Sequence, residues 1–169
     1  MTEDEYLSLQ EEKPYLEYVD GVVLQKPMAN HAHLRLAGEL IISRGIYGRA
    51  NGGIFGPEGR VRGGDLPNYR LPDVSYWARG TATGNDCSPT LAIEIRSPGQ
   101  TMLELRQKCR DFRRTGVDAR WIIDPSSRTA ESFGDAADAQ PVTSAGTLRS
   151  RFVPDFEVSL AELFRLIDE

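Results

Sequence analysis

Asp73 and Glu94 are the acidic residues of this chain whose neighbours make a negative charge hardest to keep. Pro72-Asp73 opens an apolar segment containing Val74, Tyr76 and Trp77, and Glu94 interrupts the run Leu91-Ala92-Ile93-Glu94-Ile95-Arg96. A carboxylate inside such a run is costly unless a cation meets it. Two carboxylates on neighbouring strands, with the basic Arg96 two residues beyond the second, can hold a divalent metal against a phosphodiester. Magnesium prefers oxygen ligands, commonly one or two carboxylates completed by substrate phosphate and water. Such an ion polarises the phosphoryl oxygen and acidifies an attacking water. The first expectation is therefore a metal-dependent nuclease with Asp73 and Glu94 on the ion. Plainer accounts exist for each residue: a Glu94–Arg96 pair at the polar edge of a half-buried strand, and an Asp placed beside Pro for a turn.

Downstream, Leu105, Cys109 and Phe112 recur at helical spacing and mark a packed face. Arg106, Arg110 and Arg113 form a second stripe, with Arg114 beside it. Most such stripes are solvated. The alternative is a face that contacts phosphate. Glu104 and Lys108 stand four apart in the favourable orientation for an ordinary surface pair, and Thr101-x-x-Glu104 reads as a capping box. His31 and His33 have no acidic or cysteine partner at ligand spacing, which argues against zinc. No nucleophile elbow or phosphate-cradling glycine pattern is present.

The totals set limits on these readings. At 169 residues, with 40% apolar and 27% charged residues, the chain suits one domain over 1–169 with a real core. A net charge of −5 counts against strong nonspecific binding to nucleic acid, so any phosphate-binding patch must be local. No apolar run approaches the roughly 20 residues of a membrane span. The acidic start (Glu3, Asp4, Glu5) is the reverse of a secretory leader, so a cytoplasmic protein with Cys87 and Cys109 as reduced thiols is expected.

The elements that must position these side chains are legible in outline. Thr2-x-x-Glu5 caps a short helix through about Leu9, and residues 15–19 and 22–25 form a hairpin around Asp20-Gly21. Asn30 caps a helix with a buried stripe of Leu34, Leu36, Ala37, Leu40 and Ile41, which Gly45 and Gly48 should end. Ile54-Phe55 and Val61 read as strand fragments, Gly63-Gly64-Asp65 as a turn, and residues 79–89 as a polar loop. A strand over 91–96, a helix over 102–115 stopped by Gly116, and a strand over 119–124 make a βαβ crossover, expected to be parallel and right-handed. Alternation would place Ala92, Glu94 and Arg96 on one face of the first strand. Residues 128–133 and a piece around Val142 add edge strands, and Ser159-x-x-Glu162 caps a last helix.

Taken in order, several short motifs resemble the Uma family of restriction-endonuclease-like proteins, within the PD-(D/E)XK nuclease superfamily. They are Glu17-Tyr18-Val19-Asp20-Gly21, His33-x-x-Leu36-x-Gly38-x-Leu40, Pro72-Asp73-Val74 and Glu94-Ile95-Arg96-Ser97-Pro98, followed by Lys108-x-x-x-Phe112-x-x-x-Gly116-Val117 and Trp121-Ile122-Ile123-Asp124-Pro125. The resemblance implies a single-domain restriction-endonuclease-like α/β fold, with a mixed central β-sheet flanked by α-helices. It further implies Asp73 and Glu94 as ligands of Mg2+ or Mn2+, Glu17 as a third acidic member, and Lys108 as the helix-borne lysine. Arg96 departs from the family's usual apolar residue at that strand position, so both cations stand as candidates for catalysis. Lys108 is favoured: the strand run out from Glu94 and the helix run back to Lys108 each cover roughly 10 Å and nearly cancel.

Two functions follow. The first is an endonuclease hydrolysing DNA phosphodiesters, with Arg106, Arg110 and Arg113 on the nucleic acid and, by analogy with related nucleases, a homodimer. The second is a nuclease-fold module with a degenerate site, acting as a dimeric interaction or nucleic-acid-binding protein. The acidic composition favours the second, and the Asp73, Glu94 and Lys108 set favours the first.

Overall fold

Every residue of Leu91–Ile95 and of Ala119–Asp124 is buried, which only central strands covered on both faces allow. The computed structural model describes all residues except 11, 13, 63–66, 82–86, 137 and 169. Along the chain run α1 (Glu3–Leu7), β1 (Leu16–Val19), β2 (Val22–Gln25), α2 (His31–Asn51), β3 (Ile54–Pro57), β4 (Val61–Arg62), β5 (Tyr69–Arg70) and β6 (Val74–Trp77). Then follow β7 (Leu91–Ile95), α3 (Met102–Arg114), β8 (Ala119–Asp124), β9 (Thr129–Phe133), β10 (Gln140–Val142), β11 (Thr147–Leu148), β12 (Val158–Ser159) and α4 (Leu160–Arg165).

The main sheet has the order β10-β9-β8-β7-β6-β3. β7 and β8 are parallel, with Leu91 opposite Ala119 and Ile95 opposite Ile123, and α3 forms their connection; the remaining pairs of this sheet are antiparallel. The expected mixed α/β architecture is what the chain adopts. Alternation along β7 divides the interior. Leu91, Ile93 and Ile95 join Leu36 and Leu40 of α2, Trp121 and Ile123 of β8, and Leu163 and Phe164 of α4 in the principal core. Ala92 faces the other way with Phe112 and Val117, beside a cluster of Leu105, Cys109 and Ile122 under α3. A second sheet, β2-β1-β5-β4, carries Tyr18 and Tyr69, which pack with Tyr6 of α1.

Local signals account for the element ends. Both reciprocal bonds of the Thr2/Glu5 and Thr101/Glu104 capping boxes form, and the Asn30 side chain accepts from the His33 N–H at 2.9 Å. Asp20 and Gly21 take positive φ values of 50° and 83° to close the β1–β2 hairpin. Among the described residues no helix is long and apolar enough to cross a membrane. The proposed turn at Gly63-Gly64-Asp65 lies outside the described residues.

Three expectations are corrected. α2 does not stop at Gly45 or Gly48 but runs to Asn51, where Gly52 at φ 74° caps it. Gly48 instead admits a close neighbour: a Cβ there would lie 3.1 Å from both the Gly53 carbonyl oxygen and the Phe55 ring. Leu34 is 60% exposed, because the sector of α2 facing the sheet is centred on Leu36 and Leu40. β9 is not an edge strand, since β10 with Pro141 lies outside it.

This orientation of α2 is testable by urea denaturation. Leu40→Ala should cost about 2–5 kcal/mol, whereas Leu34→Ala should stay within about 0.5 kcal/mol.

Candidate active site

Pro72 ends the pairing that precedes β6, and Asp73 follows with its side chain turned inward. Its Oδ2 accepts a hydrogen bond from the Ile95 N–H at 2.7 Å. The carboxylate thus occupies a ladder position at the end of β7, and its orientation is set by the sheet. Lys26, just after β2, places Nζ 2.7 Å from Asp73 Oδ1, and His33 of α2 brings Nε2 to 3.4 Å from the same oxygen. The other ring nitrogen of His33 lies 3.0 Å from Ser97 Oγ.

Glu94 leaves β7 on the α3 side and is 2% exposed. Lys108 lies level with it, as the strand and helix displacements require, with Nζ 2.9 Å from Glu94 Oε1. The same ammonium is 2.7 Å from Glu17 Oε1 and donates to the Leu71 carbonyl at 2.9 Å. Glu17, on β1, is further fixed by the Leu71 N–H at 2.8 Å and by Arg70 Nη1 at 2.9 Å; Arg70 also reaches Asp111 of α3 at 2.7 Å. Side chains from β1, β5, β7, α2 and α3, with Lys26 after β2 and Asp73 before β6, therefore converge on one buried cluster of charge. A cleft of about 720 Å³ opens over it, with Glu17, Lys26, Arg70 and Lys108 in its lining and Leu24, Pro98 and Leu103 on its walls.

Burial and charge pull the carboxylates apart. Burial alone would raise Asp73, but the His33 hydrogen bond and the Lys26 charge outweigh it and hold its carboxyl well below the usual range. For Glu94 burial prevails over the Lys108 charge, and the negative Asp73 adds to it, so the carboxyl is pushed up to about 7. Burial would lower Lys108, yet Glu17 and Glu94 hold it above the ordinary lysine value. One carboxylate is thus firmly ionised and its neighbour is poised between forms, a division that recurs where acid and base roles are separated.

The other candidates lie elsewhere. β7 ends at Ile95, so the alternation that would align Arg96 with Glu94 stops one residue short. The Arg96 guanidinium instead pairs with Asp124 at 2.8 Å and donates to the Gln100 carbonyl at 2.9 Å. Arg106 is bound to Glu131 of β9, Arg110 donates to Gln107 and lines the cleft, and Arg113 lines a separate hollow with Arg120. All three lie on α3, each with its own surroundings. Lys26, His33, Ser97 and Arg70 were not anticipated. The one legible signal was a histidine on the same helical face as Leu36 and Leu40.

The family resemblance implies a divalent ion, and the donors fit one in kind. Asp73 and Glu94 offer hard oxygens, and Glu94 Oε1 is buried without a hydrogen bond despite its closeness to Lys108. Among the described residues no three His, Cys, Asp or Glu side chains form a ready-made shell. An ion here would be completed by water or substrate phosphate, which is magnesium's usual habit. Glu17 is engaged at both oxygens by Lys108, Leu71 and Arg70.

The model of the Uma2 family, described as "Putative restriction endonuclease", matches residues 3–161. A crystal structure titled as a "putative nuclease" from Anabaena variabilis ATCC 29413 superposes with a TM-score of 0.86 at 22% identity, covering 99% of each chain. At that identity the likeness speaks for the fold alone. No curated protein matches significantly. The family match spans almost the whole sequence, and the chain belongs to the Uma2 family of restriction-endonuclease-like proteins.

Proposed function

We propose that the cleft hydrolyses DNA phosphodiesters with the help of Mg2+ or Mn2+ held by Asp73 and Glu94. The observation that carries this reading is a buried network, Lys26 on Asp73 and Lys108 on Glu94, whose two lysines line an open cleft in a nuclease-family chain. A bound ion would polarise a phosphoryl oxygen and acidify the attacking water. Asp73 is held for that task by the Ile95 N–H, and His33 braced on Ser97 steadies it from the α2 side. Lys108, gripped by Glu17 and the Leu71 carbonyl, supplies a fixed positive charge against the negative charge that develops on phosphorus. In this reading Glu17 positions Lys108 more than it binds metal, and Arg96 takes no part. The proposal includes a homodimer, since two such clefts on one assembly would cut both strands of a duplex.

A second reading has its own support. Lys26 and Lys108 already neutralise the carboxylates, so the cluster is complete as an ion-pair network, and the chain carries a net charge of −5. A nuclease-fold module binding a partner or nucleic acid without cleavage would look the same. Assay of plasmid DNA with Mg2+ or Mn2+ separates the two. Asp73→Ala and Lys108→Ala should each lower cleavage roughly a hundredfold or more, while Arg96→Leu should retain it. Absence of cleavage by the native chain, with DNA binding intact, would favour the module.

The Glu94 carboxyl also gives a pH signature. Its pKa is raised on folding from 4.5 to about 7, so the folded chain binds the proton more tightly than the unfolded chain. Between those values stability falls as pH rises, and the loss is complete above about 7. Asp73, shifted the other way, contributes stability above its ordinary value that is lost only in stronger acid. Without divalent ions the thermal midpoint should therefore decline from pH 5 to pH 8, and Glu94→Gln should flatten that decline. An unchanged slope in Glu94→Gln would assign the decline to another group.

A further inference from the structure

Lys26 and Lys108 are held differently. The Lys108 ammonium lies 2.7–2.9 Å from three oxygens, those of Glu17, Glu94 and the Leu71 carbonyl. Lys26 meets two carboxylates, Asp73 Oδ1 at 2.7 Å and Glu58 Oε1 at 3.4 Å. Its backbone is pinned at the open end of the hairpin, with its N–H donating to the Tyr15 carbonyl at 2.9 Å, while the stem is flexible. Glu58 follows β3 in a left-handed conformation at φ 47° and does not line the substrate cleft, whereas Lys26 does.

We propose that Lys26 is a built-in counter-ion that occupies the divalent-ion position at Asp73, and that Glu58 is the second seat to which its ammonium withdraws when the ion enters. The inference rests on the metal reading above and goes beyond it by naming what the ion must displace. Of the two Asp73 oxygens, Oδ2 accepts the Ile95 N–H, which leaves Oδ1 the more open to an arriving cation. Lys26 already stands there at hydrogen-bond distance, and two cations cannot share that position without strong repulsion. A swing of the lysine stem toward Glu58 relieves the clash while keeping the ammonium paired, which a buried charge requires. The pair Asp73 and Glu58 thus forms a two-position track for one lysine. Metal affinity is then set partly by the cost of moving it.

Calorimetric titration of Mn2+ alone into the full chain tests this, with the Mn2+-induced shift in thermal midpoint as a second readout. Lys26→Met should bind Mn2+ roughly ten- to a hundredfold more tightly than the native chain, and should melt lower without metal. Glu58→Gln should weaken Mn2+ binding in the native background and have no effect in Lys26→Met. Equal or weaker binding by Lys26→Met, or the same effect of Glu58→Gln in both backgrounds, would overturn the inference. If Lys26→Met fails to fold, Glu58→Gln alone decides: weaker binding supports the track, and unchanged binding rejects it. Asp73→Ala keeps the two claims apart. Native binding abolished by Asp73→Ala, with Lys26→Met behaving as native, leaves the metal site standing and removes the counter-ion. No binding in any variant removes both.

Discussion

The Lys108 ammonium is buried among oxygens from three separate parts of the chain: Glu17 on β1, Glu94 on β7 and the Leu71 carbonyl between β5 and β6. Because Lys108 itself comes from α3, this one cation ties the small sheet to the main sheet and both to the crossover helix. Removing one partner of such a buried group leaves an uncompensated charge, typically a loss of about 3–5 kcal/mol. Leu71 in turn leads directly into Pro72 and Asp73, so Lys108 and Glu17 anchor the backbone just ahead of the first carboxylate. Arg70 extends the same logic outward, linking Glu17 to Asp111 on the next turn of α3.

A hydrophobic packing of similar volume would often stabilise a fold as well as an ion-pair network does. The arrangement is better explained by what it presents to the cleft. Asp73 and Glu94 have opposite displacements of their pKa, and the lysines paired with them, Lys26 and Lys108, line the opening. The overall charge of −5 is compatible with a phosphate substrate only if attraction is local, and Lys26, Arg70, Lys108 and Arg110 all line the cleft. Arg106, tied to Glu131, adds nothing to that local field.

Much of the fold was legible because local and global signals agree. The apolar runs of β7 and β8, the Thr101 capping box and Gly116 identify the crossover without tertiary information. α2 was misjudged at both ends of its argument. Its glycines were read as a stop when Gly48 serves close packing, and Leu34 was counted into a stripe that the sheet does not face. Within the site, Asp73 and Glu94 were visible as acids in apolar surroundings, and Lys108 followed from strand and helix rise. Arg96 misled because strand alternation was carried one residue past the end of β7. Lys26 stayed hidden because its partner, Asp73, lies far away in sequence and nothing local in the hairpin signals that meeting, while His33 showed only as a histidine on the packed face of α2.

In the proposed reading, Asp73 and Glu94 jointly seat a divalent ion. Crystals soaked in Mn2+ and recorded for anomalous scattering test it most directly. The account predicts one strong peak about 2.0–2.6 Å from oxygens of both Asp73 and Glu94, with the Lys26 ammonium no longer on Asp73. A cleft without a peak, with Lys26 still paired to Asp73, would contradict it.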